Sequence, residues 1–551
     1  MVHESDICII GGGITSAMLA LKLSELRPRA SIVVVEAGRS IFDAQNRGRY
    51  RDRALAYGEH PWHDDYIEDQ QGKGTISMTM AVGGLALHWG GACNRFSEED
   101  LRLKSMYGLA VDWPVEWKEL ERYYCEAERR LHVAGEPSPY PGDERSQPYP
   151  QGPIPLSYNL QILKQWAETS GLKFNSLPMA RNMTPFDGRG ACCVYDTCGE
   201  VCPSGARYSP DFTFKQLVGD GGYQRPPSPP NAAGTEVANN LRPRAITLHD
   251  QTLVRRLVLD DSRPVVVSAQ GFRQDRPQDP VEYRAKTFVV ASGYCWSSHL
   301  LLLSSNSRFP NGVANSSGLV GRYMNGHKFI STTATIDAET FPGQNLTHSL
   351  ISREYFRCRA DRPFVRHDTR VWESSSGREP RLRAADGRLL LGDEVMADWR
   401  SRTKGSSVRL RAYYDVHPSA DSRLTLDATN RNRYGDPMPK IDHQPDAAAI
   451  AREAATAEHV RGVFTELAKA SNGRIGNTST GDYLDHPGGG CRMGDDPATS
   501  VCDSFGRTHD HENLFVVGAP TTPTGGCTNG TLTFVALTLR SAERIARGIR
   551  G

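Results

Sequence analysis

The chain of 551 residues lacks any stretch approaching ~18 consecutive apolar residues, so no transmembrane helix is expected. It lacks an excess of either charge, with 65 Lys and Arg against 64 Asp and Glu and a formal net charge of +1. That balance argues against a nucleic-acid footprint and against a polybasic membrane surface. The N-terminus, MVHESDICIIGGG, lacks a basic segment, and its apolar run Ile7–Ile10 passes directly into glycines, so no secretory signal is expected. No internal repeat is visible. Gly (52) and Pro (34) are numerous but not periodic, which indicates a loop-rich chain rather than a fibrous one. Twelve cysteines in this length do not reach the density of a disulfide scaffold. At ~100–200 residues per domain, the length allows two to four domains.

What is present begins with Asp6–Ile10, a short apolar run suited to a buried parallel strand. Gly11, Gly12 and Gly13 follow, and then Ile14, Ala17, Met18 and Leu21 fall on one face of a helix. Ser31–Val35 is a second strand that ends at Glu36, which completes one βαβ unit. The spacing Gly11-x-Gly13-x-x-Ser16 suits a dinucleotide. The glycines permit a tight turn and close approach of a pyrophosphate, and the helix N-terminus offers free N–H groups. Ser16 replaces the usual third glycine with another small residue. Glu36 stands where a carboxylate can accept the ribose hydroxyls, and it would repel a 2′-phosphate, so NADP is not expected.

Further along, residues 75–95 are rich in glycine and small side chains, as suits backbone lying close to a ligand. Residues 116–131 read as a helix, 136–155 as a Pro-rich connection and 224–235 as an exposed loop. Residues 245–259 and 265–270 alternate as strands of a hairpin or meander. Thr287–Ser292 is a buried strand followed by Gly293 and a helical run. The stretch 373–405 reads as solvated loop, Leu514–Val517 as a last strand, and about Asn529 to Ile549 as a last helix. A chain that returns several times to a long cofactor favours FAD over NAD.

Four stretches resemble the glucose–methanol–choline (GMC) oxidoreductase family. They are IIGGGITSAMLALKL with VVVEAG; AVGGLALHWGG; FVVASGYCWSSHLLLLS; and HPGGGCRMGDDPATSVCD with NLFVVGAPTTPTGGCTNGTLTFVALTLRSAE. They span nearly the whole chain in family order. The resemblance implies an α/β fold with a Rossmann-like FAD-binding domain and a second, sheet-based α+β substrate domain. The first would comprise 1–135, 190–320 and 484–551, and the second 136–189 and 321–483.

The same resemblance implies oxidation of an alcohol by hydride transfer to flavin N5. His486 matches the family's catalytic histidine and Asn529 its second active-site residue. A neutral imidazole is suited to take the hydroxyl proton near pH 7, and an amide can hydrogen-bond the same oxygen. FAD contacts are implied at Gly11, Gly13, Ile14, Thr15, Ser16, Glu36 and Ala37, and at Gly83, His88 and Gly90. Further contacts are implied at Val254, Gly293, Gly518, Ala519, Asn529 and Thr531. His88 stands where pyranose 2-oxidases bond FAD covalently and many related dehydrogenases do not, so a bond and simple packing beside the ring are both open. Gly530 departs from the Pro that many relatives carry there, which predicts a looser start to the last helix.

Four cysteines crowd into ACCVYDTCGEVCPSGARYS: Cys192, Cys193, Cys198 and Cys202. Zinc prefers C-x₂₋₄-C pairs and fits the adjacent couple poorly, whereas an iron–sulfur cluster lets neighbouring cysteines bind different irons. Free thiols or a labile disulfide are the alternatives. The CC-x₄-C spacing is similar to that of FAD-dependent glucose, fructose and glucoside 3-dehydrogenases. This similarity implies a 3Fe–4S cluster on Cys192, Cys193 and Cys198, with Cys202 either a fourth ligand or a packing residue. The expected function is a sugar, glycoside or polyol dehydrogenase that relays electrons to a cytochrome. A pyranose-oxidase-like enzyme producing peroxide and a non-catalytic flavin-binding subunit are the alternatives. A small signal-bearing subunit and a cytochrome c are the expected partners, with the chain cytoplasmic or exported to the periplasm alongside that subunit.

Overall fold

A computed structural model describes all residues except 42–45, 58–78, 195–196, 200, 220–245, 337–339, 341–347, 359–363, 374–380, 404–405, 471–472 and 550–551. The loop expected at 224–235 lies outside the described residues. In chain order the strands are β1 (Val2–Ile10), β2 (Ile32–Val35), β3 (Asn175–Ser176), β4 (Ile246–His249) and β5 (Thr252–Leu259). They continue with β6 (Val266–Arg273), β7 (Arg276–Val290), β8 (Asn325–Ile336), β9 (Leu350–Ser352) and β10 (Thr369–Glu373). The remainder are β11 (Ser406–Asp415), β12 (Arg423–Arg431), β13 (Pro437–Asp442), β14 (Ser479–Gly488) and β15 (Leu514–Val516). The helices that matter below are α1 (Ile14–Leu26), α2 (Trp117–Leu131), α3 (Gly293–Leu303), α4 (Asp393–Thr403), α5 (Ala447–Lys469) and α6 (Thr531–Gly548).

Two sheets organise the chain. The first runs β4-β2-β1-β7-β6-β5, with β15 also on β7. Its β4, β2, β1, β7 and β15 pair in parallel, while β5 and β6 continue it antiparallel. Ile7–Ile10 and Ile32–Val35 are buried throughout because helices cover both faces, which is why they read as unbroken apolar runs. Ala17 and Leu23 of α1 and Ile545 of α6 pack on one face; Leu300 and Leu301 of α3 pack on the other. α2 lies outside α6, with Tyr124 and Leu131 against Val535 and Leu539.

The second sheet, β14-β8-β11-β10-β9-β3, is antiparallel. Ile330, Val408, Leu410 and Ala412 face α5, whose Val460, Phe464 and Leu467 cover them. Because strand side chains alternate, Arg370, Trp372 and Tyr413 take the opposite face. β14 carries residues 479–488 in this sheet, so the boundary expected at 484 falls inside a strand. The architecture is the expected pairing of a Rossmann-like unit with a sheet-based one.

One expectation is corrected. Within 373–405, read as solvated loop, Asp393–Thr403 forms α4. Asp393 and Glu394 occupy its first turn, where they complement the helix dipole.

Candidate active site

The β1–α1 turn is built for close approach. Gly11 has φ +106°, and a Cβ there would lie 2.6 Å from the carbonyl oxygen of Ala291 at the end of β7. Gly13 is the extended residue before α1, and the space where its Cβ would point is open. Glu36, buried at the end of β2, accepts the Gly12 N–H at Oε2 (2.6 Å) and the Gly38 N–H at Oε1 (2.7 Å). A carboxylate in this position suits a ribose hydroxyl.

The turn opens into a cavity of about 680 Å³, within the ~300–1,000 Å³ typical of small-molecule and cofactor sites. Gly11, Gly13, Ile14, Thr15, Glu36 and Ala37 line one end. Val254, Gly293, His88, Gly90, Ala519, Thr531, Asn529 and His486 line the cavity as well. Ser16, Gly83 and Gly518 are not part of the lining. Ser16 is buried in α1, Gly83 donates its N–H to Gly12 O (2.8 Å), and Gly518 abuts Thr15. They hold the cradle from behind. His88 Nε2 is hydrogen-bonded to Thr79 Oγ1. With an open helix N-terminus, an acidic ribose partner and a long cavity, these residues fit a dinucleotide.

At the cavity wall, four elements converge on one imidazole. His486, on β14 with φ +55°, contacts Asn529 Nδ2 through Nε2 (2.8 Å) and His327 Nε2 through Nδ1 (2.8 Å). His327 sits on β8, the strand that β14 pairs with. Burial, and next the neighbouring His486, hold the His327 pKa well below its ordinary value. Asn529 precedes α6, and its Oδ1 accepts hydrogen bonds from Arg370 Nη2 and from Asn94 Nδ2 (3.1 Å). Arg370 is anchored by Asp368, whose Oδ2 accepts from Nε (2.8 Å) and Nη2 (2.6 Å). Burial raises the Asp368 pKa, against the opposing pull of Arg370. The Tyr413 ring lies edge-on to His486, with centroids 5.9 Å apart.

His486 and Asn529, expected from the sequence, are therefore in contact at the cavity wall. Arg370, His327, Asn94 and Tyr413 were not anticipated, and only strand pairing and chain crossing bring them there. Trp372, which no sequence pattern tied to a site, lines the cavity, whereas His367 does not. Gly530 does not loosen the last helix. It starts regularly, with the Phe534 N–H bonded to Gly530 O (3.0 Å), and a Cβ at 530 would lie 2.7 Å from the Phe534 ring.

In the cysteine segment, Cys193 is exposed, Cys192 half-buried, and Cys198 and Cys202 buried, with all four thiols free. Among the described residues no three metal-ligating side chains converge. The expected set of Cys192, Cys193 and Cys198 is thus not assembled, because Cys193 points outward. Beneath the loop, buried Arg207 donates to the carbonyls of Ala86, Leu87 and Trp89, the stretch that flanks His88. Burial alone would push the Cys202 thiol up, but the charge of Arg207 and a backbone N–H outweigh it and lower the pKa. Arg181 Nη2 also reaches Cys198 Sγ (3.4 Å).

A dinucleotide cradle on a parallel sheet, closed by an imidazole from a second sheet and an amide ahead of α6, defines a nucleotide-cofactor-dependent oxidoreductase. A family model described as GMC oxidoreductase matches residues 418–538. The chain is 29% identical to the fructose dehydrogenase large subunit of Gluconobacter japonicus, over 99% of this chain and 98% of that protein. It is 29% identical to 6'''-hydroxyparomomycin C oxidase of Streptomyces lividus, over 98% and 91%. The solved structure of pyridoxine 4-oxidase from Mesorbium loti is similar in fold, with TM-score 0.60 and 17% identity over 99% of this chain and 100% of that one. Residues 418–538 thus match the GMC oxidoreductase model, and the similarity to full-length relatives runs over nearly the whole chain.

Proposed function

We propose that this chain oxidises a secondary or anomeric hydroxyl of a sugar, glycoside or polyol, with FAD in the 680 Å³ cavity. The observation that carries the reading is the contact of His486 Nε2 with Asn529 Nδ2 at the wall of the same cavity that the β1–α1 turn lines. Bound there, FAD supplies the acceptor for the hydride at N5. The chain's own residues do the rest. As substrate enters, its hydroxyl replaces the Asn529 N–H at the Nε2 lone pair; His486 Nε2 then takes the hydroxyl proton, Asn529 Nδ2 donates to the same oxygen, and Trp372 and Tyr413 wall the substrate end. The N-terminus of α6 presents its positive end to this region. With Nε2 held by Thr79, His88 is read as packing beside the ring without a bond.

In this reading the first sheet with 1–135, 190–320 and 484–551 is the cofactor unit, and 136–189 with 321–483 the substrate unit. Electrons leave to an external acceptor, not to oxygen. The CC-x₄-C spacing of Cys192, Cys193 and Cys198 supports a 3Fe–4S cluster as their exit, as do the cationic Arg207 and Arg181 beneath it. An iron–sulfur cluster would supply one-electron transfer, and binding one requires Cys193 to turn inward. A small subunit and a cytochrome acceptor fit this reading, since the Gluconobacter relative is named a large subunit. The contrary reading, an oxidase, has its own support in the oxidase names among the relatives and in the unassembled cysteines.

Anaerobic reduction by fructose, glucose or gluconate followed by air separates the two. The dehydrogenase predicts slow reoxidation, fast transfer to ferricenium or cytochrome c, and an oxidised-state EPR signal lost in Cys193→Ser. Rapid reoxidation with stoichiometric peroxide, and no iron, contradicts it.

A further inference from the structure

The geometry points to Arg370 as the positioning residue that makes His486 a base at Nε2: by capturing Asn529 Oδ1, it forces the amide nitrogen toward the imidazole. This inference rests on the reading of His486 as the base.

Donors and acceptors fix the orientation of the amide. A guanidinium carries donors only. Arg370 Nη2 can therefore pair with Asn529 only through the amide oxygen, and Asn94 Nδ2 reinforces the choice at 3.1 Å. A flipped amide would set N–H against N–H. With Oδ1 occupied, Nδ2 faces His486 Nε2 and donates to it over 2.8 Å. That nitrogen must then hold a lone pair, so the imidazole carries its hydrogen on Nδ1. His327 Nε2 lies 2.8 Å from Nδ1 and accepts it. His327 is buried and held neutral, which matches an acceptor at Nε2 and excludes a second cation in the pair.

Arg370 itself has no freedom to turn away. Asp368 Oδ2 accepts two of its N–H groups and the Thr528 hydroxyl (3.1 Å), while Asp368 Oδ1 accepts the Tyr413 N–H (2.8 Å). The guanidinium also lies over the Tyr413 ring, 4.6 Å from its centroid. The groups facing His486 are therefore His327 from β8, Tyr413 from β11, Arg370 with Asp368 from the start of β10, and Asn529 ahead of α6. Both the charge of Arg370 and the donor it aims at Nε2 favour the neutral imidazole. Removing Arg370 raises the His486 pKa through both effects.

The test uses the flavin-loaded full chain. Arg370→Met should keep flavin stoichiometry, lower kcat at least about tenfold and change KM less than about threefold, because the Nε2 lone pair is used only on the way to the transition state. The acid limb of kcat/KM should move up by about one pH unit. Arg370→Lys, also a donor without an acceptor, should hold the limb at its wild-type position. Histidine-selective ¹⁵N NMR, with the His486 signals identified by their loss in His486→Gln, should give an unprotonated Nε2 in wild type and a changed tautomer in Arg370→Met.

If Arg370→Met does not fold, Asp368→Asn with Arg370→Met removes both buried charges and takes the same measurements. A flavin-replete variant with the wild-type limb and the wild-type tautomer overturns the assignment. The two claims fail separately. Wild-type bleaching by His486→Ala sinks the base itself, while its loss alongside an unmoved limb in Arg370→Met sinks only the role of Arg370.

Discussion

Glu36 illustrates how much one side chain does at the nucleotide end. Its two oxygens tie the Gly12 and Gly38 backbones to the end of β2 before any ligand arrives. A glutamine there would oppose an N–H with an N–H. Glu36→Gln is expected to lower flavin occupancy and to destabilise the chain by about 1–3 kcal/mol, the usual cost of an unmatched buried polar group. Flavin absorbance per chain and denaturant midpoints check both. The residue that the sequence could name and the residue that it could not differ in kind. His486 and Asn529 lie in stretches whose pattern resembles a known family. Arg370 lies in the strand TRVWE, where an arginine reads as an exposed side chain, and only the approach of β10 to Asn529 makes it part of the site. His327 was hidden for the same reason, since its partner is 159 residues away.

At the scale of elements, the β1–α1 turn was legible because its physics is local. Consecutive glycines between an apolar strand and a helix, with an acidic residue ending the next strand, mark a turn that a phosphate can approach. The turn is also tightly constrained. At φ +106°, with a Cβ set 2.6 Å from the Ala291 carbonyl oxygen just after β7, Gly11→Ala is expected to cost about 1–3 kcal/mol and to empty the cradle. Denaturation and flavin content measured together would detect a milder effect. α4 escaped notice because its sequence, DEVMADWRSRT, carries no clear apolar stripe. The cysteine loop is the opposite case. Its spacing was plain, but ligand convergence depends on loop geometry that spacing does not fix.

At the scale of the molecule, buried charge ties the second sheet to a short helix, Glu98–Leu101. Arg366, fully buried, pairs with Asp100 (2.7 Å) of that helix and with Asp415 (3.3 Å) at the end of β11. Burial pushes the Asp415 carboxyl up to about 7, with Arg366 opposing and Asp100 and Glu99 adding to the rise. The folded state thus holds a proton that the unfolded chain, with its ordinary carboxyl, releases. Stability from this group is present at low pH and declines as pH rises from about 4 to about 7. Asp415→Asn is expected to flatten that decline, read as denaturation midpoints across the window. An unchanged slope would mean that the carboxyl is already ionised throughout. No described helix is long and apolar enough to cross a membrane, in keeping with the sequence.

In the proposed reaction a hydroxyl proton passes to His486 as the hydride leaves the same substrate. Anaerobic stopped-flow bleaching of the bound flavin, by whichever of fructose, glucose or gluconate reduces the wild type, tests it directly. His486→Ala with full flavin content should slow bleaching by about 10²–10⁴-fold, the range of a lost general base. Bleaching at the wild-type rate in that variant would contradict the account.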